Sequence, residues 1–215
     1  MMKKLAIIDF DGTLFDSVHD VMIILNRSLE MHGFPTLTHD EYIKRLGGNI
    51  DEIVSLVLND KSTPENIALI RATYEELYND SDNENTIPFP GMHEALQALQ
   101  DRGIILTINS NRKSDSIRFY VEKFFPDIDF MTIEGHNLNC PSKPSPCGVK
   151  RILEKSSMSK ENAIYIGDSM TDVNTAKNAD VDCLIVKWGY GIPETFEDES
   201  VMGFIEDACE IINYF

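Results

Sequence analysis

Positive charge is scarce in this 215-residue chain: 19 lysines and arginines face 36 aspartates and glutamates, for a formal charge of −17. Such a surface repels phosphate backbones and anionic headgroups, so neither a nucleic-acid partner nor a membrane partner is expected. No apolar run approaches the roughly 20 residues that span a bilayer. The opening "MMKKLAIIDFD" begins like a secretion signal, but Asp9 and Asp11 interrupt it too early. It reads instead as the first β-strand of a cytoplasmic protein. Cysteine is sparse: Cys140, Cys147, Cys183 and Cys209 show no CxxC spacing, which suits free thiols in a reducing compartment. The five histidines form no HxxxH or HExxH pattern, so zinc is not expected.

What is present is an alternation of short apolar runs and helical patterns. After the first run come "GIILTINS" (Gly103 to Ser110), "DFMTIEG" (Asp129 to Gly135), "AIYIGD" (Ala163 to Asp168) and "DCLIVKW" (Asp182 to Trp188). None alternates strictly, as expected for parallel strands covered on both faces. "MHEALQALQDRG", "SDSIRFYVEKFF", "SPCGVKRILEKS" and "MTDVNTAKNA" separate them with helical periodicity. The pattern predicts an α/β fold: a doubly wound, mostly parallel sheet with a Rossmann-like core. Residues 16–85 break the alternation with helical patterns only, and carry 14 acidic against 5 basic residues. They are expected to form an inserted all-helical domain, leaving 1–15 and 86–215 as the α/β core.

In open α/β sheets, ligands bind outside the carboxyl ends of the strands. The first run delivers Asp9, Asp11 and Thr13 there, the second Ser110 and Asn111, and "AIYIGD" delivers Asp168, followed by Ser169 and Asp172 in "GDSMTD". The loop "CPSKPSP" adds Lys143 between prolines. Clustered carboxylates are tolerable around a hard cation such as Mg²⁺, which takes carboxylates, waters and substrate phosphate as ligands. With charge neutralised, Asp9 could attack phosphorus, and Asp11 could protonate the leaving oxygen and then activate water. Ser110 and Lys143 would hold the phosphoryl oxygens, and Gly12 would let the backbone approach the phosphate.

"DFDGTLFDS", the Ser110-Asn111 strand end, Lys143 in "KP" and "GDSMTD", in that order, resemble the four motifs of the haloacid dehalogenase superfamily. The helical insert resembles that superfamily's cap, and "TIPFPGMHEAL" and "KWGYG" resemble its phosphoglycolate phosphatase-like branch. The resemblance implies Asp9 as the nucleophile that forms a phosphoaspartate and Asp11 as general acid/base. It implies Mg²⁺ held by Asp9, the main-chain carbonyl of Asp11, and Asp168. Asp172 would orient metal-bound water and Thr13 would support the site. Ser110, Asn111, Lys143 and Gly12 would bind phosphate. Arg112 departs from the lysine that many relatives carry after this strand end.

The expected activity is therefore Mg²⁺-dependent hydrolysis of a small phosphorylated metabolite through an aspartyl-phosphate. A phosphomutase similar to the β-phosphoglucomutase branch shares the motifs, and product analysis separates the two. A non-catalytic phosphoacceptor or binding protein is the third reading, but binding alone would not need Asp11. Each residue also has a plainer reading. Asp-Gly marks turns, "GDSMTD" suits a helix N-terminus, and a lone lysine is usually solvated. In the insert, Arg45, before Gly47-Gly48-Asn49, is a candidate for a substrate carboxylate or second phosphate; the plainer reading is a solvated helical arginine.

Overall fold

The computed structural model describes residues 2–45, 48–137 and 139–215. The chain divides into two compact units. One comprises the residues up to Phe15 together with Pro88–Phe215; the other is Asp16–Ile87. The division falls two residues beyond the 85/86 boundary expected from sequence.

The first unit contains six strands of one sheet: β1 (Leu5–Ile8), β4 (Ile105–Lys113), β5 (Phe130–His136), β6 (Ala163–Gly167), β7 (Asp182–Val186) and β8 (Val201–Ile205). Their order is β5-β4-β1-β6-β7-β8, and every pairing is parallel. Two-residue strands, β2 (Phe15–Asp16) and β3 (Ile87–Pro88), form a separate ribbon where the chain leaves and re-enters this unit. The edge strand β8 was not anticipated. "VMGFI" is short, carries Gly203 in its interior and is only partly buried, so neither a long apolar run nor strict alternation marks it.

Why the runs lack alternation is visible in the packing. All four residues of β1 and all five of β6 are buried. Leu5, Ile7, Tyr165, Cys183 and Ile185 pack on one face with Val149, Ile152, Val173 and Ala176. Those partners come from α7 (Cys147–Ser156) and α8 (Met170–Ala179). Ala6, Ile8, Ile164, Ile166, Leu184 and Val186 pack on the other face. It is covered by α5 (Met92–Asp101), α6 (Ser114–Phe124) and a C-terminal 3₁₀ segment, Ala208–Tyr214. The strand period of two sends successive residues to opposite faces, and here both faces are dry. Each fully buried Leu or Ile contributes about 1.5–3 kcal/mol.

The second unit holds α1 (Val18–Met31), α2 (His39–Ile43), α3 (Ile50–Leu58) and α4 (Pro64–Asn79). Its helix starts are written locally. Thr38 and Glu41 form a capping box at α2, Asn49 and Glu52 form one at α3, and Thr63 caps α4 with Pro64 in the first turn. These contacts satisfy N–H groups that a helix start leaves orphaned. α4 packs on α1 and α3, and Arg71 pairs with Asp51 at 2.8 Å to tie α4 to α3. The buried Asp20 accepts hydrogen bonds from Thr86 Oγ1 (2.7 Å) and Asn85 Nδ2 (2.9 Å), anchoring the end of the insert to α1. No helix among the described residues is long and apolar enough to cross a membrane.

Candidate active site

The chain runs from β1 out to β4 and β5, then returns to β6 on the other side of β1. The crevice at such a reversal is where α/β sheets bind ligands. Asp9 follows the last residue of β1 and donates its N–H to Ile166 O (2.9 Å), which sets it beside the end of β6 that carries Asp168. One oxygen each of Asp9, Asp168 and Asp172 lies within 4.8 Å of the others, and all three residues are buried. Lys143 Nζ reaches Asp9 Oδ1 and Asp172 Oδ1, each at 2.7 Å. Four charged residues from three separated stretches of sequence therefore share one buried pocket of the first unit.

Each is held by identifiable partners. Asp172 Oδ2 accepts from the main-chain N–H groups of Asp168 (3.2 Å) and Ser169 (3.1 Å) and from Ser169 Oγ (2.8 Å). With Oδ1 on Lys143, this carboxylate braces the loop and the lysine. Asp168 Oδ2 accepts from Tyr190 N–H at 2.6 Å. Asn111 and the Lys143 backbone pair reciprocally: Lys143 N–H donates to Asn111 Oδ1 (2.7 Å) and Asn111 Nδ2 to Lys143 O (3.3 Å). The Asn111 side chain thus pins the lysine loop to β4. Ser110 is buried, and its Oγ accepts from Arg112 N–H at 3.1 Å. Thr13 is buried with no hydrogen-bond partner for Oγ1, while its carbonyl accepts from Trp188 Nε1 (3.1 Å). Gly12 has φ +83°, and a Cβ there would lie 2.3 Å from Asp168 Oδ2. The position therefore requires glycine both for its backbone and for space.

The electrostatics follow from burial. Three carboxyl groups face one ammonium, so full ionisation would leave excess negative charge in a low-dielectric setting. Burial and then Asp172 push Asp9 up to about 7, against the opposing pull of Lys143. Asp168 is held well above the carboxylate range by burial and by repulsion from Asp172 and Asp9. Burial would also raise Asp172, but Lys143 and Ser169 outweigh it and hold this group low. Lys143 loses by burial but gains more from Asp172 and Asp9, and stays well above its usual value. Like charges in one pocket disfavour ionisation unless a cation joins them.

The donor set fits a hard divalent ion on this ground. Asp9 Oδ1 is buried without a well-directed hydrogen bond, although Lys143 Nζ lies 2.7 Å away as an ion-pair partner. An oxygen so placed, beside Asp168, is a ready ligand for Mg²⁺. Asp172 has both oxygens engaged and is better suited to bracing the site than to ligating.

The structure brings together Asp9, Lys143, Asp168 and Asp172, with Gly12 packed on Asp168 and Asn111 bonded to Lys143; Ser110 bonds to Arg112 N–H and lines one cavity with Asn111 and Lys143. Asp11 points its carboxylate to Arg112, at 2.6 Å from Nη2 and 3.1 Å from Nε. Arg45 belongs to the second unit, where Nη1 donates to Glu41 O (2.5 Å); Gly47 lies outside the described residues. Sequence reasoning missed Tyr165, whose hydroxyl lies 3.2 Å from Asn109 O and 3.3 Å from Asp172 Oδ1. Its place inside an apolar strand run was the available signal, since a buried hydroxyl needs a partner. Arg112 was noted as a departure, but its partner was not.

One expectation is corrected. Cys140 and Cys147 are not free thiols: they form a disulfide with Cα atoms 5.8 Å apart. The proline-rich turn between them folds back against the start of α7, so a seven-residue separation suffices without CxxC spacing. The free-thiol argument for a reducing compartment now rests on Cys183 and Cys209 alone.

The family model for haloacid dehalogenase-like hydrolases matches residues 6–186, a span that includes Asp9, Asp11, Ser110, Lys143, Asp168 and Asp172. The chain belongs to this family. A phosphoglycolate phosphatase of Vibrio cholerae is 28% identical over 87% of the chain and 85% of its own length. Within the family, the chain is similar to curated phosphoglycolate phosphatases, a second one, of Aquifex aeolicus, being 28% identical over 87% of the chain and 86% of its own length. Its fold matches a haloacid dehalogenase-like hydrolase of Streptococcus pneumoniae at TM-score 0.89 and 19% identity, covering 99% of this chain and 98% of the other. It also matches CbbY of Rhodobacter sphaeroides, solved in complex with phosphate, at TM-score 0.83 and 20% identity, covering 98% and 96%.

Proposed function

We propose that this hydrolase is a Mg²⁺-dependent phosphatase that acts on a small phosphomonoester through an aspartyl-phosphate on Asp9. The observation that carries this reading is the buried set of Asp9, Asp168 and Asp172 around Lys143, three carboxyl groups that one lysine cannot balance if all ionise. Asp9 and Asp168, with the main-chain carbonyl of Asp11, would hold the ion. When bound, it would supply the missing positive charge and draw in the phosphoryl oxygens.

The chain's own residues would then act as follows. Lys143 stays protonated and holds a phosphoryl oxygen while keeping Asp9 aligned. Asp9 attacks phosphorus, and the ester oxygen leaves with a proton from Asp11. Asp11, now ionised, takes a proton from water as that water attacks the aspartyl-phosphate, releasing inorganic phosphate and restoring Asp9. Asp172 and Asn111 keep Lys143 in place. Ser110 Oγ, at the end of β4, is a donor for the phosphoryl group. The Vibrio cholerae relative's name supports placing phosphoglycolate first in a substrate panel. The acidic balance of the helical unit, a proposed cap that would exclude bulk water, favours small substrates over long polyanions.

Phosphate release over a panel of phosphorylated metabolites, with Mg²⁺ and with chelator, tests the reading. Wild type is expected to turn over at least one ester with Mg²⁺ only, and Asp9→Asn none. Turnover by Asp9→Asn at the wild-type rate would refute Asp9 as nucleophile. Phosphate moved on a sugar instead of released would favour the mutase.

A further inference from the structure

The lysine of the candidate site lies in the middle of a loop closed by a covalent bond. Cys140 and Cys147 are joined, and Lys143 stands three residues after one and four before the other. The bond ties the two stems of the loop together. On one side Cys140 pairs with Asn137, just beyond β5, and donates its N–H to Asn137 O (3.3 Å). On the other Cys147 opens α7. The next residue, Gly148, packs on β4, where a Cβ would lie 2.2 Å from Asn109 Nδ2.

Between the stems stand Pro141, Pro144 and Pro146, which have no N–H to give. Side chains hold the tip from outside. Asn111 pairs with the Lys143 backbone, and Asn178 Nδ2 donates to Pro144 O (2.9 Å). Lys143 Nζ has to stay 2.7 Å from both Asp9 and Asp172, which requires its backbone to keep its place. A short closed ring has far fewer conformations than the same segment opened. The bond therefore restricts where the lysine can go.

We propose that Cys140 and Cys147 form a redox site that sets the hold on Lys143. The bonded pair keeps the lysine placed for a phosphoryl oxygen, and reduction by a dithiol slackens the loop and weakens the handling of phosphate esters. Cys140 is buried and Cys147 half-buried, so Cys147 is the more accessible end. A thiolate of the dithiol attacks Cys147 Sγ, the Sγ–Sγ bond breaks, and Cys140 leaves as a thiolate that takes up a proton. The second thiol of the reagent then attacks the mixed disulfide and releases Cys147. The protein gains two electrons and two protons, and the dithiol is oxidised to its own disulfide. The catalytic meaning rests on the phosphatase reading; the hold on the loop can be measured without turnover.

The test compares air-oxidised wild type, the same protein in dithiothreitol, and the reduced protein reoxidised, with peptide mapping of alkylated thiols to report the state of each cysteine. The Lys143 amide donates to Asn111 Oδ1. Its hydrogen exchange should quicken about 10- to 100-fold on reduction, the scale of closing a short loop. The Asp9 amide, bonded to Ile166 O, should not change. In the same samples kcat/KM with Mg²⁺ should fall about 3- to 10-fold, less than the loss of a whole charge-assisted hydrogen bond, and reoxidation should restore it.

Cys140→Ser with Cys147→Ser should show the reduced values with or without dithiothreitol, which separates this pair from the free Cys183 and Cys209. If that variant does not fold, the mapped wild-type samples still carry the comparison. Free thiols at both positions in air-oxidised protein would overturn the proposal. So would Lys143 exchange unchanged by reduction, or faster exchange with unchanged kcat/KM, or an equal effect of dithiothreitol on the serine variant. If wild type released phosphate from no ester, the phosphatase reading would fail, while the exchange of the Lys143 amide still decided whether the bond holds the loop.

Discussion

Asp9→Asn should abolish turnover and, in the absence of metal, make the protein more stable. The reasoning starts from burial. Asp9 is 5% exposed, and burial with Asp172 lifts its pKa from 3.8 to about 7. A raised carboxylate binds its proton more readily folded than unfolded. The folded state is therefore favoured below pH 4, and that contribution is lost as pH rises through the window from 3.8 to about 7. At about 1.36 kcal/mol per pKa unit, three units amount to about 4 kcal/mol by pH 8. The pull of Lys143 is already included in the shift. Asparagine has the same shape and no charge, so it avoids this cost.

The assay is thermal unfolding of wild type and Asp9→Asn between pH 4.5 and 8.5, in chelator and in excess Mg²⁺. Taking the difference between variants cancels the titration of other surface acids. Near pH 4.5, less than one unit into that window, the difference should shrink to about 1 kcal/mol. At pH 8 in chelator Asp9→Asn should melt higher by about 10 °C, using about 2–4 °C per kcal/mol for a chain of this size. Excess Mg²⁺ should reverse the order, since binding to the native carboxylates stabilises wild type by mass action. If Asp9→Asn is the less stable protein in chelator at pH 8, the excess-charge account of this pocket is wrong.

Three further outcomes are expected. Asp11→Asn should leave Mg²⁺ affinity near wild type, because the ligand proposed at this position is the main-chain carbonyl, and slow hydrolysis by about 10²–10⁴-fold; wild-type turnover would refute the proposed acid–base role of Asp11. Lys143→Met should destabilise the apo protein by about 3–5 kcal/mol in denaturant titrations, because it strands Asp9 and Asp172 in a buried site, and an unchanged midpoint would contradict the ion-pair geometry. Arg45→Ala should alter kcat/KM ratios across the metabolite panel; if no ratio moves, Arg45 is a residue of its helix end and nothing more.

The limits of what the sequence revealed follow from the range of each interaction. The strands of the sheet centre were legible because burial on both faces writes continuous apolar runs, as in Leu5–Ile8 and Ala163–Gly167. The edge strand Val201–Ile205 was not, because a partly buried edge leaves no such run. Caps such as Thr38 with Glu41 are written within four residues and could be read directly. The residues around the candidate centre were also readable, because Asp9, Ser110 and Asp168 each end an apolar run and strand ends converge by topology.

Partnerships across the chain were not readable in this way. Arg112 meets Asp11 across 101 positions, and nothing in either local sequence records that the departure at one site is answered at the other. The Cys140–Cys147 bond is close in sequence yet was also missed, because the fold of a proline-rich turn, not the spacing, sets the distance between the two sulfurs. Side-chain types at strand ends thus identify which groups could do chemistry. Which of them are held back, and by what, is decided by contacts that only the folded chain makes.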